Sequence, residues 1–260
     1  MKTRDYTIQS VRHALDILEQ FRGNSSELCV MDLSRRLQLP KNKIYKLIAT
    51  LEHHNYLEQN ISTKNYRLGI KNMELGQVAM RRMRRLGDSR SVMEALVREC
   101  NETLCVSILK GSHAVNMDAV VGDNHLRAIP PIGISIPAHC TAAGKVLIAG
   151  LTEEQRLHYV SSCLFKRYTT ATITNPKLFL RHLEEVDRQG YALELEEQEV
   201  GVKSVSAPIR DYTSRTIGAI TVYGPSTRFP DDRMEKELIP LVLKGAMEIS
   251  DMLGYRQSEF

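Results

Sequence analysis

Apolar residues recur at helical spacing from the start of the chain. Ile8, Val11, Leu15 and Leu18, with Ala14, Ile17 and Phe21 beside them, form one stripe. That stripe predicts an amphipathic helix over residues 8–21 that buries it. Gly23-Asn24-Ser25-Ser26 breaks the pattern. A short helix follows, with Val30, Leu33 and Leu37 inward and Asp32, Arg35 and Arg36 outward. Leu39-Pro40 ends it, because proline cannot continue a helix. A third helix is predicted over residues 41–54, with Ile44, Leu47, Ile48 and Leu51 inward. Its opposite face carries Lys41, Asn42, Lys43, Tyr45 and Lys46. Short strand-like runs at residues 56–58 and 66–68 flank a polar turn and predict a hairpin. Residues 69–89 read as a long helix, in which Met73, Leu75, Val78, Met80 and Met83 would line a linking or dimerising face.

The pattern changes from Ser91. Residues 92–100 predict an amphipathic helix, and runs at 104–109, 114–121 and 125–129 predict strands. Residues 141–151 and 152–161 predict helices. Residues 175–189 predict another, with Asn175 as N-cap, Pro176 at the first helical position and Gly190 as terminator. Strands are expected at 191–196, 204–209 and 217–222, with a turn at 212–215 and a closing helix over 231–253. The order mixes hairpins with helices. The fold class expected is therefore α+β, with an antiparallel sheet in the larger, C-terminal part.

Charge sharpens this division. Residues 1–90 hold 17 Lys/Arg against 9 Asp/Glu, and the remainder holds 18 against 22. A basic head on an acidic body points to a polyanionic partner for the head. Three short helices and a hairpin predict a winged helix-turn-helix. In that arrangement the third helix keeps one stripe on a small core and frees its N-terminal turns for a major groove. The lysines would neutralise phosphates, Asn42 or Tyr45 would reach base edges, and Lys64 and Arg67 on the wing would grip adjacent backbone or minor groove. The alternative is an ordinary bundle with solvated lysines. The Arg-Arg-Met-Arg-Arg run at 81–85 is expected to be a solvated or interdomain surface rather than a DNA contact.

No run approaches the roughly 18 apolar residues a membrane span needs, and the N-terminus lacks the apolar core of a secretion signal. The five cysteines are scattered, with no CxxC pair. A reduced, cytoplasmic protein without membrane, metal or cofactor is expected.

Ordered fragments carry a resemblance along nearly the whole chain. The head has Gln9-Ser10-Val11, Ala14-Leu15-Asp16-Ile17-Leu18, Leu39-Pro40-Lys41, Thr50-Leu51-Glu52 and Tyr66-Arg67-Leu68-Gly69. The body has Pro137-Ala138-His139-Cys140-Thr141-Ala142-Ala143-Gly144-Lys145, Gly190-Tyr191-Ala192, Glu196-Glu197, Ala207-Pro208-Ile209, Gly224-Pro225 and Arg228-Phe229. The chain resembles the IclR (isocitrate lyase regulator) family of bacterial transcription factors. The resemblance implies a winged-helix domain over 1–70, a linker helix over 71–90 and a GAF-like effector-binding domain over 91–260. It implies a homodimer or tetramer on a pseudo-palindromic double-stranded DNA operator, acting as repressor, activator or both. It also implies an effector pocket containing Ala142, Ala143, Glu194, Ser204, Thr221 and Tyr223. Ser204 stands where cysteine is frequent, and Tyr223 where a small hydroxyl residue is common. Amides at the start of the helix after Thr141 would bind a carboxylate, and Ser204 and Thr221 would donate to its oxygens, so a small organic acid is the expected effector.

Three other readings compete. Ala142-Ala143-Gly144-Lys145-Val146 looks like the end of a phosphate loop, but it lacks the earlier glycine and the Ser/Thr. His139-Cys140 suggests a thiol-dependent enzyme and Glu196-Glu197 an acid–base pair, although adjacent residues rarely face each other. His139, Cys140, His125, His113 and Cys105 allow a metal site that no spacing demands. An architectural DNA-binding protein without a ligand is the third, against which the large acidic body argues.

Overall fold

A computed structural model describes residues 7–22, 27–82 and 89–256. The chain divides into two compact units, residues 1–83 and 84–260. In the first unit, α1 (Gln9–Glu19) continues into a short 3-10 turn and is followed by α2 (Val30–Leu37) and α3 (Lys41–His53). Strands β1 (Leu57–Gln59) and β2 (Tyr66–Leu68) pair antiparallel, with Glu58 opposite Arg67. Then comes α4 (Ile70–Arg82).

The turn between α2 and α3 is tight for identifiable reasons. Gln38 takes a left-handed φ of 53°, the Ser34 hydroxyl donates to the Leu39 carbonyl at 2.6 Å, and Pro40 precedes the first turn of α3. Ile17, Phe21, Leu28, Leu33, Ile44, Ile48, Leu51, Leu57 and Tyr66 close the core. The expected single stripe on α1 splits. Ala14, Ile17 and Leu18 join the core, whereas Ile8, Val11 and Leu15 stay exposed at 66%, 54% and 57%. The core takes one side of α1, and among the described residues of this unit the second row of apolar positions stays uncovered. On α4, Met73, Leu75 and Val78 are likewise exposed. The Gly23–Ser26 break, the side chains of Met80 and Met83, and those of the 81–85 run lie outside the described residues.

In the second unit a six-stranded antiparallel sheet has the order β5-β4-β3-β8-β7-β6. Its strands are β3 (Thr103–Lys110), β4 (His113–Val120), β5 (Ser135–Pro137), β6 (Ala192–Leu195), β7 (Val202–Arg210) and β8 (Thr216–Pro225). Five helices cover it: α5 (Ser89–Cys100), α6 (Ala142–Ala149), α7 (Glu153–Ser162), α8 (Pro176–Gln189) and α10 (Ile239–Met252). A short turn, α9 (Asp231–Arg233), and a π-helical turn at Met234–Leu238 lead into α10. Strand alternation gives the sheet two unlike faces. Leu104, Val106, Val205, Ile220 and Val222 bury against α5 and α10. The other face presents Cys105, Ser107, Ser204, Ser206, Thr221 and Tyr223.

The helices start and stop where their chemistry dictates. Thr152 and Gln155 form a reciprocal capping box on α7. The Asn175 carbonyl accepts the Lys177 and Leu178 amides, and Gly190 ends α8 at φ 79°. Two expectations are corrected. Residues 125–129 are not a strand but part of an irregular loop, ended by Pro130-Pro131, which offer no N–H to a ladder. The strand expected over 191–196 ends at Leu195, because Glu196 turns left-handed at φ 59°.

Candidate functional site: a basic helix face and a polar cavity

On the head, α3 presents Lys41, Asn42, Tyr45 and Lys46 to solvent, with Lys43 half-buried. Ile44, Ile48 and Leu51 anchor the opposite face, and the first turn holds no acidic residue to neutralise the lysines. The two wing cations differ. Lys64 is exposed at the tip, where the Asn60 side-chain carbonyl accepts the amides of Ser62 and Thr63. Glu27 fastens this tip by accepting from Asn60 at 2.6 Å and Thr63 at 2.7 Å, bonds that hold its carboxyl below the usual range. Arg67 instead pairs with Glu58 across the hairpin, so part of its charge is already engaged.

In the body, the polar sheet face, the start of α6, residues 126–131 and the turn after β6 line a partly open cavity of about 440 Å³. Ala142, Ala143, Glu194, Ser204, Thr221 and Tyr223 all line it. Thr141 caps α6 by accepting the Gly144 amide at 3.2 Å. Helix geometry then leaves the Ala142 and Ala143 amides without an intrahelical acceptor. A side chain at Gly144 would overlap the backbone of Ala138, so only glycine lets this helix start here. Glu194 is buried. It accepts the Glu197 amide at 2.8 Å and the Ser204 hydroxyl at 3.0 Å. Burial pushes its carboxyl up to about 7, against the opposing pull of these hydrogen bonds.

Two side-chain roles differ from expectation. The Ser204 proton is used on Glu194, and the Thr221 hydroxyl donates to Ser206 at 2.9 Å, which itself donates to the Ile220 carbonyl. Both hydroxyls therefore face the cavity as acceptors rather than donors. The Tyr223 hydroxyl is shielded from solvent and, among the described residues, has no hydrogen-bond partner, and burial raises its pKa.

Sequence reasoning missed Cys105 and Asn116 on the strands and Leu126, Arg127, Ile129 and Gln198 on the loops, which also line the cavity. Cys105 and Ser107 do carry a signal, small polar residues alternating inside an otherwise buried strand. The loop residues carry none, because their place depends on tertiary contacts.

Among the described residues, the side chains of the rival readings are engaged elsewhere. The His139 ring turns to the Lys166 carbonyl at 3.0 Å and stacks edge-on against Phe165. The Cys140 thiol points to the Pro137 carbonyl, and burial pushes it up to about 12, far from a neutral-pH thiolate. Glu196 and Glu197 sit in a turn. Glu196 accepts the Gly201 amide, and Glu197 forms a buried ion pair with Lys145, whose ammonium also donates to the Leu193 carbonyl at 2.9 Å. Among the described residues no three His, Cys, Asp or Glu side chains gather where they would hold a metal ion. Among them, too, no helix is long and apolar enough to cross a membrane.

A helix-turn-helix unit joined to an α/β unit that bears a polar cavity defines the class: a DNA-binding transcription regulator. Residues 10–60 match the family described as "IclR helix-turn-helix domain", and residues 77–251 match "Bacterial transcriptional regulator IclR C-terminal". The chain is 32% identical to the HTH-type transcriptional regulator XynR of Escherichia coli, over 95% of this chain and 98% of that one. The crystal structure of Thermotoga maritima IclR superposes with a TM-score of 0.81 at 26% identity, covering 96% of this chain and 100% of the other. An IclR homologue from Microbacterium hydrocarbonoxydans, solved with 4-hydroxybenzoate, has the same fold at 20% identity, with a TM-score of 0.84 over 95% and 99% of the two chains. The chain belongs to the IclR family.

Proposed function

We propose that the chain binds a pseudo-palindromic operator as a homodimer or tetramer, and that a small organic acid in the cavity changes its affinity or the spacing of its heads. Function then divides among a reading domain (1–70), a linker helix (71–90) and an effector domain (91–260). Lys41, Lys43, Lys46 and Lys64 contact phosphates in this reading, with Asn42 and Tyr45 toward base edges. Arg67 has a smaller part because of Glu58.

The observation that carries the effector reading is the cavity wall itself. Two amides of a helix start, Ala142 and Ala143, adjoin polar strand residues in a concave space of about 440 Å³. Such amides favour a carboxylate. The Microbacterium homologue holds an organic acid, which agrees with this chemistry. The exposed row Ile8, Val11 and Leu15 supports association of heads, since a second copy would cover it.

A panel of carboxylic acids and matched uncharged compounds, screened by melting temperature and then by gel shift on selected operator DNA, tests the proposal. Acids should raise the melting temperature and alter the shift, and Thr221→Val should blunt that response. Stabilisation by uncharged apolar compounds alone would remove the organic acid from the account.

A further inference from the structure

The cavity has one irregular wall. Six consecutive residues, from Leu126 to Pro131, line it. Between the end of β4 and the start of β5 this stretch forms no helix or strand. Its ends are tied down. At the start, the Asp123 amide donates to the Asn101 side chain at 2.8 Å, and the Asn124 side chain donates to the Asn101 carbonyl at 2.6 Å. At the far end, the Gly133 amide donates to the Asn116 carbonyl at 2.8 Å. Pro130 and Pro131 have no N–H to offer.

The middle depends on Arg228. Its Nη1 donates to the Leu126 carbonyl at 2.8 Å. Among the described residues this is the hydrogen bond that ties residues 125–130 to another element. The guanidinium is itself held by Glu102, through Nε at 2.7 Å and Nη2 at 2.6 Å. Glu102 is 2% exposed and also accepts from Arg233 at 2.8 Å. A side chain at Gly224 would fall 2.9 Å from the Glu102 carboxylate and 2.7 Å from the Phe229 ring, so the seat is built around that glycine. A planar fork that holds a carboxylate with one edge and a carbonyl with a third N–H is arginine chemistry that lysine does not reproduce.

We propose that residues 125–130 are a door at the mouth of the cavity and that Arg228, seated on Glu102, is the positioning residue that holds it in place. Breaking the Arg228–Leu126 bond then widens the mouth through which a ligand enters and leaves. The inference rests on the cavity being the effector site only for its biological meaning, since the door can be tested without an effector.

Cys105 supplies the probe. It lines the cavity and is 3% exposed, so its labelling is expected to quicken when the door moves. Cys100, at the end of α5, packs in the core against the sheet, and Cys140 is fully buried outside the cavity lining, so both report global unfolding. The full-length protein is treated with N-ethylmaleimide under native conditions, and the modification of each cysteine is followed by peptide mass spectrometry. Arg228→Lys should speed Cys105 labelling by about tenfold or more, the factor expected from one lost charge-assisted hydrogen bond, with Cys100 and Cys140 unchanged. Lys244→Ala, which breaks an exposed ion pair with Glu99 outside the cavity lining, should leave Cys105 near its original rate. Should Arg228→Lys fail to fold, Glu102→Gln weakens the seat and carries the same expectation. Labelling of Cys105 at the wild-type rate, or acceleration of all three buried cysteines together, would overturn the proposal. If the door behaves as expected but no acid stabilises the protein, the organic-acid reading fails while the door stands.

Discussion

Glu194 and Tyr223 lie on the same polar face of the sheet, and each has a consequence that can be measured. Burial raises Glu194 to about 7 from an ordinary value of 4.5. Between those values the folded chain holds a proton that the unfolded chain has released. Stability from this group is therefore full below about 4.5 and is lost as pH rises through 7. Glu194→Gln keeps the shape and most of the hydrogen bonds without the charge. It should be more stable than the parent at pH 8, by on the order of 1–3 kcal/mol, with the advantage gone near pH 4.5, as read by denaturant unfolding. A less stable variant at pH 8 would contradict the burial argument. For Tyr223, an unpartnered buried hydroxyl is a net cost, so Tyr223→Phe should hold or raise stability by about 1 kcal/mol in thermal unfolding. A loss of similar size would mean that the hydroxyl has a partner.

Much at this scale was legible in the sequence. The six residues assigned to a pocket by resemblance do converge on one cavity, because strand alternation fixes which side chains share a face. What the hydroxyls do was not legible. Ser204 and Thr221 each find an acceptor within the protein, and those bonds depend on which residues sit one strand away.

At the scale of elements, the capped helices were the most legible. Thr152 with Gln155, and Asn175 with Pro176 and Gly190, state their own boundaries. The stretch 125–129 was the least legible. Its apolar residues suggest a strand, yet no partner strand lies beside it, and Leu126 and Ile129 are left exposed on the door. The α1 stripe was half legible for a related reason, since spacing reveals an apolar face but not how much of it one chain can cover. The head also yields a contrast between two cations. Lys46→Ala should weaken operator binding and reduce the slope of log affinity against log salt by about 1. Arg67→Ala should change that slope by less than half as much, because Glu58 already engages Arg67. Equal effects from both would place Arg67 on phosphate after all.

At the scale of the molecule, a basic unit and an acidic, cavity-bearing unit share one chain, and the family joins DNA binding to effector binding. If head pairing uses the uncovered row on α1, Leu15→Glu should shift the protein toward monomer in analytical ultracentrifugation and weaken operator binding at the same time. An intact assembly would move the pairing surface elsewhere. The central claim is that occupancy of the cavity governs the head. It is tested most directly by fluorescence anisotropy of the full chain on operator DNA selected from a random pool, titrated with and without the acid that most raises its melting temperature. The account predicts sequence-selective binding whose affinity changes by about tenfold with the acid, within the usual range of allosteric coupling. Selective binding with the same affinity in both titrations would contradict it.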